Sequence, residues 1–408
     1  MSKTSDDAVT FIRAKILEEL EYLGEVSDDK VEEMIAEEIS VYGKINYVSI
    51  NERIMIGKQI YHSLRKLDIL QDLIDNPDVT EIMVNGSQSI FIEKSGRLYK
   101  INQQFESQEK LKHIIQQIVA KCNRVVNESS PIVDARLYNG SRVNVVLNPV
   151  AINGPILTIR RFPEKPLEIS KLVEIGSLTE EASMFLKKLV IAGYNIIISG
   201  GTGSGKTTFL NALSSFIPKD ERIITIEDSA ELQIQGIDNL VRLETKNANV
   251  ENCKPITIRD LIKTSLRMRP TRIIVGEVRG GEAMDMICSA MNCGHDGSMS
   301  TVHANSAVDT LSRLETMILM AVELPIYAIR RQICSGVDII IHLGRLRDKT
   351  RKVLEISEIS GITDNEIVIN TIYRFIEAND KEKKEVKGSL VKIGELMHKE
   401  KLKAAGIA

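Results

Sequence analysis

Apolar positions in the first sixty residues recur at helical spacing. Phe11, Ile12, Ile16, Leu20 and Leu23 mark one face, and Val31, Met34, Ile35 and Ile39 mark another, which predicts two helices joined by a turn at 24–29. From residue 69 the pattern becomes mixed. Residues 79–86 alternate and end in Asn85-Gly86, and 89–93 continue on the far side, a hairpin signal. Residues 109–122 carry Leu111, Ile114, Ile115, Ile118 and Val119 on one helical face, 136–145 form a second hairpin-like stretch, and 156–162 a further strand. Pro163 and Pro166 break the periodicity of 162–177, which therefore reads as a linker. Beyond it, apolar runs at 194–199, 222–226, 272–275, 298–302 and 338–341 alternate with amphipathic helices, the order of a parallel α/β sheet. Edge strands, 366–375 among them, a charged solvated turn at 380–387 and a short helix at 395–404 close the chain. The expected organisation is a helical extension (1–68), an α+β domain (69–161), a linker (162–177), an α/β domain (178–370) and a strand/helix tail (371–408).

Composition narrows the possibilities. With 408 residues the chain is long enough for two or three domains. A net charge of −3, no tryptophan and 4% aromatic residues argue against a general nucleic-acid binder that uses basic surfaces and stacking platforms. The first twenty residues include Asp6, Asp7, Glu18 and Glu19 and lack the charge pattern of a signal peptide. The longest candidate membrane span, near 317–329, contains Glu323 and Pro325, so a cytoplasmic protein is expected. Cys122, Cys253, Cys288, Cys293 and Cys334 form no C-x-x-C pair; reduced thiols are expected, and zinc is not.

The chemistry concentrates on the α/β half. Gly200-Gly201-Thr202-Gly203-Ser204-Gly205-Lys206-Thr207 matches G-x-x-x-x-G-K-[ST] between an apolar run and a helical pattern that starts at Thr208. Such a loop aims backbone N–H groups and a positive helix end at one polyphosphate. Lys206 would reach the β- and γ-phosphates of ATP, and the Thr207 hydroxyl would ligate Mg²⁺. Residues 273–277 form an apolar run ending in Glu277, a carboxylate placed to polarise water, with Gly276 where an aspartate is usual. Residues 223–227 lead into Glu227, Asp228 and Glu231, whose mutual repulsion a cation would relieve; Glu227 and Glu231 are candidate outer partners of Mg²⁺, and Asp228 is equally a candidate helix cap. His303 ends another strand as a candidate γ-phosphate sensor. Arg136, Arg142, Arg160 and Arg161 lie upstream, while Arg267, Arg269 and Arg279 flank the Glu277 run; the upstream cluster suits a lid that neutralises phosphate charge.

Residues 266–270, 273–283, 291–298 and 300–306, with 77–86, 140–144 and 157–163, resemble the secretion-motor ATPase superfamily, and within it the CpaF-type ATPases of tight-adherence (Flp) pili. The resemblance is strong over 70–345. It implies a RecA-like motor domain and a PAS-like N-terminal domain. It also implies a homohexameric ring docked on a polytopic inner-membrane platform protein, driving pilus assembly or retraction from the cytoplasmic side. By motif, Lys206 and Thr207 take the phosphate-loop roles, 227–231 the Asp box, Glu277 the catalytic glutamate and His303 the His box. Arg142 and Arg160 match arginines that approach the γ-phosphate. Tyr138-Asn139 and Cys293 depart from the family's usual Pro-Asp and Thr. The absence of a tetracysteine module argues against the type II branch. A type IV secretion or archaellum motor, or a nucleotide-gated scaffold, are the alternatives.

Overall fold

The computed structural model describes residues 3–23, 26–122, 124–137, 139–161, 166–246, 254–378 and 385–407. Gly24, Tyr138, Phe162, Pro163, Cys253 and 380–384 of the charged run lie outside them. The chain divides into two compact units, Met1–Pro163 and Glu164–Ala408, each described here by itself.

The N-terminal unit opens with three helices, α1 (Lys3–Leu23), α2 (Asp28–Ile45) and α3 (Ile50–Arg65), where the periodicity predicts two. Ile12 and Ile16, Val31, Ile35 and Ile39, and Ile56 and Ile60 meet in one core. Phe11 and Leu23, expected on the apolar face of α1, stay about half exposed. The third helix has a local cause: the Ser49 hydroxyl accepts the Glu52 amide while the Glu52 carboxylate accepts the Ser49 amide, satisfying two donors at its start. After α4 (Ile69–Asp75) come β1 (Val79–Asn85), β2 (Ile90–Lys94), β3 (Arg97–Lys100), α5 (Gln108–Lys121), β4 (Ile132–Arg136), β5 (Arg142–Val146) and β6 (Ile156–Arg160). Among the described residues these strands form a six-stranded antiparallel sheet ordered β3-β2-β1-β6-β5-β4. Alternation puts Ile82, Val84, Val143, Val145, Leu157 and Ile159 against the apolar face of α5. Each such buried aliphatic side chain stabilises the fold by roughly 1.5–3 kcal/mol.

In the C-terminal unit the stretch expected as linker carries a helix, α6 (Ile169–Glu174), whose Ile169 and Leu172 enter the core. Then follow α7 (Glu180–Ile191), β7 (Ile196–Gly200), α8 (Lys206–Ser214), β8 (Ile223–Glu227), β9 (Leu240–Glu244), α9 (Ile258–Ser265) and β10 (Arg272–Val278). α10 (Glu282–Asp285) runs into a π-helical turn, Met286–Met291, before β11 (Met299–Val302), α11 (Ala307–Leu319), α12 (Ile326–Gly336) and β12 (Ile339–Arg345). The last elements are β13 (Arg351–Thr363), β14 (Glu366–Glu377), β15 (Gly388–Lys392) and α13 (Glu400–Ala404). The sheet order is β15-β14-β13-β12-β7-β11-β10-β8-β9, parallel from β12 to β9 and antiparallel beyond. Ile196 to Ile198 are buried on both faces, as a central parallel strand requires. β14 crosses the 370/371 division expected from sequence, and β15 extends the same sheet. No described helix is long and apolar enough to cross a membrane.

Candidate nucleotide site

β7 lies between β12 and β11, so its carboxyl end opens where α/β sheets hold ligands. The loop leaving it is shaped by glycines. A Cβ on Gly200 would stand 2.5 Å from both Leu343 O and Ser204 Oγ. Gly203 and Gly205 have φ of 70° and 94°, and Gly205 caps α8 without a side chain, leaving the amides of the first helical turn directed outward. Ser204 Oγ is buried without a hydrogen-bond partner. Lys206 is 7% exposed, and its Nζ donates to Gly200 O at 3.0 Å and Gly201 O at 3.1 Å. An orphan hydroxyl, outward amides and a lysine resting on loop carbonyls fit a polyphosphate. Gly201, Thr202, Thr207 and Thr208 complete this loop and the first turn of α8. Among the described residues no group of three or more His, Cys, Asp or Glu could hold a metal.

Glu277 and His303 converge beside the lysine. Lys206 Nζ lies 3.3 and 3.4 Å from the two ring nitrogens of His303, and His303 Nε2 lies 2.7 Å from Glu277 Oε1. The β10–β11 register slips between Val275 and Val278, a bulge that re-aims Glu277. Glu277 Oε1 is buried and makes no aligned hydrogen bond, while Oε2 accepts one from Arg279 at 2.7 Å. Burial holds the His303 pKa below its ordinary value; Glu277 opposes this, and Lys206 and Arg279 add to it. Burial thus favours the neutral imidazole, whose two nitrogens face Lys206 and, through Nε2, Glu277.

Glu227 is placed differently from the metal-shell expectation. It is 3% exposed, its Oε1 accepts the amides of Glu231 and Leu232 at 2.8 Å each, and Oε2 is buried without a partner. Its carboxylate shapes the loop after β8, and Asn211 of α8 accepts the Gln233 amide at 2.8 Å to hold the other end. Burial raises the Glu227 pKa to about 7. The same packing accounts for Gly276: a Cβ there would stand 2.9 Å from Glu227 Cγ, so the aspartate usual at this position has no room. No helix follows β8, so Asp228 caps none; it takes the Thr245 hydroxyl on its carbonyl and lies 3.8 Å from Arg279. A cavity of about 490 Å³ shares Asp228 and Arg279 with this edge but contains no residue of the loop.

The upstream arginines belong to the N-terminal unit. Arg136 pairs with Arg142, Arg142 with Arg160 and Arg160 with Glu81, one cross-strand row on the face opposite α5. Like charges in adjacent positions repel, and Glu81 stands opposite Arg160 at one end of the row. Arg161 stands apart: its guanidinium donates to the Asn76 carbonyl and, at 3.3 Å, to Val79 O, holding the corner between α4 and β1. Sequence reasoning missed Asn211 and two residues on the strands beside the loop. His342 Nδ1 lies 3.0 Å from Ser199 Oγ, and Arg351 Nε donates to Gly203 O at 2.8 Å.

The chain matches the model of the Type II/IV secretion system protein family over residues 63–405. A putative conjugal transfer protein of Mycobacterium tuberculosis (strain ATCC 25618 / H37Rv) is 32% identical over 295 residues, covering 71% of this chain and 83% of its own. The type IV secretion system protein VirB11 of Brucella suis biovar 1 is 34% identical over 310 residues, covering 68% and 84%. The solved structure of the pilus retraction motor PilT with bound ADP superposes with a TM-score of 0.51 at 20% identity, over 76% of this chain and 82% of that one. The ATPase DotB of Legionella pneumophila superposes at 0.50 with 21% identity, over 71% and 79%. The two superpositions give the chain the RecA-like fold of these secretion ATPases. The family match, extending from α3 to α13, shows that the chain belongs to the Type II/IV secretion system protein family.

Proposed function

We propose that the protein is an ATP-hydrolysing motor. The observation that carries this reading is the convergence of Lys206, His303 and Glu277 at the ends of β7, β11 and β10, with separations of 3.3 and 2.7 Å. Lys206 leaves the Gly200 and Gly201 carbonyls to meet phosphate charge. Glu277 takes the proton of the attacking water on Oε1, the oxygen without an aligned partner, and neutral His303 orients that carboxylate. Mg²⁺, held through the Thr207 hydroxyl, supplies charge neutralisation on the phosphate oxygens when bound. Glu231 stays a candidate for the outer shell of that ion, and Glu227 orders the loop that presents it. Arg142 and Arg160 close over the γ-phosphate from the N-terminal unit, which we read as PAS-like. Steady-state phosphate release tests the reading: many phosphates per chain support it, and a single one per chain supports a nucleotide-gated scaffold.

The motor works as a homohexamer on the cytoplasmic face of a membrane platform protein, adding or removing subunits of a tight-adherence pilus. The motif set at 266–306 supports that cargo. The relatives named for conjugal transfer and type IV secretion support a second one, substrate translocation through a secretion channel. Loss of surface pili on deletion, with secretion intact, favours the first.

A further inference from the structure

Arg351 opens β13 and sits 148 residues after the phosphate loop, yet its side chain reaches that loop. Nε–H donates to Gly203 O at 2.8 Å, and a Cβ on Gly205 would meet Arg351 Cδ at 3.4 Å. Holding a loop carbonyl on its outer side keeps the neighbouring N–H groups facing the phosphates. The Arg351 backbone is tied in another direction. Its carbonyl accepts the Ser177 hydroxyl at 2.8 Å, the Val353 amide donates to Ser177 O at 2.8 Å, and Lys352 Nζ donates to Gly176 O at 2.6 Å. Gly176 and Ser177 end the short segment with which the C-terminal unit begins, after the division at Pro163 and Glu164. Ser177 is 6% exposed, so that end of the segment is fixed in the core.

We propose that Arg351 is a positioning residue that couples the phosphate loop to the segment entering the motor unit, its side chain on Gly203 and its backbone on Ser177. A nucleotide that tightens the loop thereby tightens residues 169–180, the stretch with which the described part of the C-terminal unit begins. The proposal rests on the nucleotide reading of the loop.

The test uses side chains of matched length. Glutamine places an N–H donor where arginine has Nε; methionine fills the same space without one. In the full-length protein, ADP affinity is measured by calorimetry, and amide exchange over 169–180 is followed with and without saturating ADP. Arg351→Gln is expected to bind within about twofold of wild type and to keep the ADP-dependent slowing of exchange. Arg351→Met is expected to bind roughly tenfold more weakly and, once saturated, to show no slowing there. Equal behaviour of the two variants, or slowing intact in saturated Arg351→Met, overturns the proposal. If Arg351→Met does not fold, Ser177→Ala decides instead. It leaves the Gly203 contact, the Val353–Ser177 main-chain bond and the Lys352–Gly176 bond in place, so the proposal requires normal ADP affinity with the slowing weakened, and slowing of wild-type size overturns it. A wild type that binds no ADP overturns the nucleotide reading itself; a wild type that binds ADP without slowing over 169–180 overturns only the coupling.

Discussion

Replacing Glu227 by glutamine separates a loop-ordering role from a metal-shell role. Burial raises this carboxyl from 4.5 to about 7 against the pull of its two amide partners and Arg242. Each pH unit between those values is about 1.4 kcal/mol, so ionising the folded protein costs roughly 3 kcal/mol. Because the folded pKa lies above the unfolded one, the contribution is whole below pH 4.5 and is lost as pH rises through about 7. Glutamine keeps a carbonyl for the amides of Glu231 and Leu232 and carries no charge to ionise. Urea unfolding is expected to show Glu227→Gln with a flatter stability–pH curve, and at about pH 8 a gain over wild type of up to about 3 kcal/mol. Glu227→Ala, which strands both amides, is expected to lose about 2–4 kcal/mol. Turnover of Glu227→Gln within about threefold of wild type assigns the residue to the loop. A glutamine variant less stable than wild type at about pH 8 refutes the reasoning.

Three further outcomes follow from the site. Gly276→Asp, which drives a Cβ to 2.9 Å from Glu227 Cγ, is expected to lower stability by about 1–3 kcal/mol and to cut turnover; calorimetric Tm checks the first, and an unchanged Tm contradicts the packing argument. Arg160→Ala is expected to lower turnover by about a hundredfold, against no change for exposed Lys112→Ala; equal small effects in phosphate-release assays count against a closing lid. Arg161→Ala is expected to lose about 1–3 kcal/mol of stability, through the freed Asn76 and Val79 carbonyls, with little loss of turnover once folded; a turnover loss matching Arg160→Ala would return it to the catalytic set.

The phosphate loop, the Glu277 strand and the hairpin at Asn85-Gly86 were legible because each is encoded locally, by glycine placement and apolar runs. The third N-terminal helix was missed: its capping pair, Ser49 and Glu52, is a local signal, but its pattern merged with that of α2 into one acidic stretch. What sequence could not supply was long-range. Gly276 is explained only by Glu227 from another strand, and Arg351 and Asn211 act through loops distant in sequence. Arg161 looked equivalent to Arg160 in the same strand pattern, yet the two point to opposite sides and only one joins the cross-strand row. α6 lay hidden just after Pro163 and Pro166, where its short apolar stretch had too little periodicity to register.

Hydrolysis of ATP at this site is proposed to run through Glu277. Steady-state phosphate release by the full-length protein with ATP and Mg²⁺, beside Glu277→Gln with its nucleotide affinity measured in parallel, tests it most directly. Many turnovers per chain are expected for wild type and, for the variant, undiminished ATP binding with release lower by at least about a hundredfold. Near-normal release by Glu277→Gln, or a wild type that stops at one phosphate per chain, contradicts it.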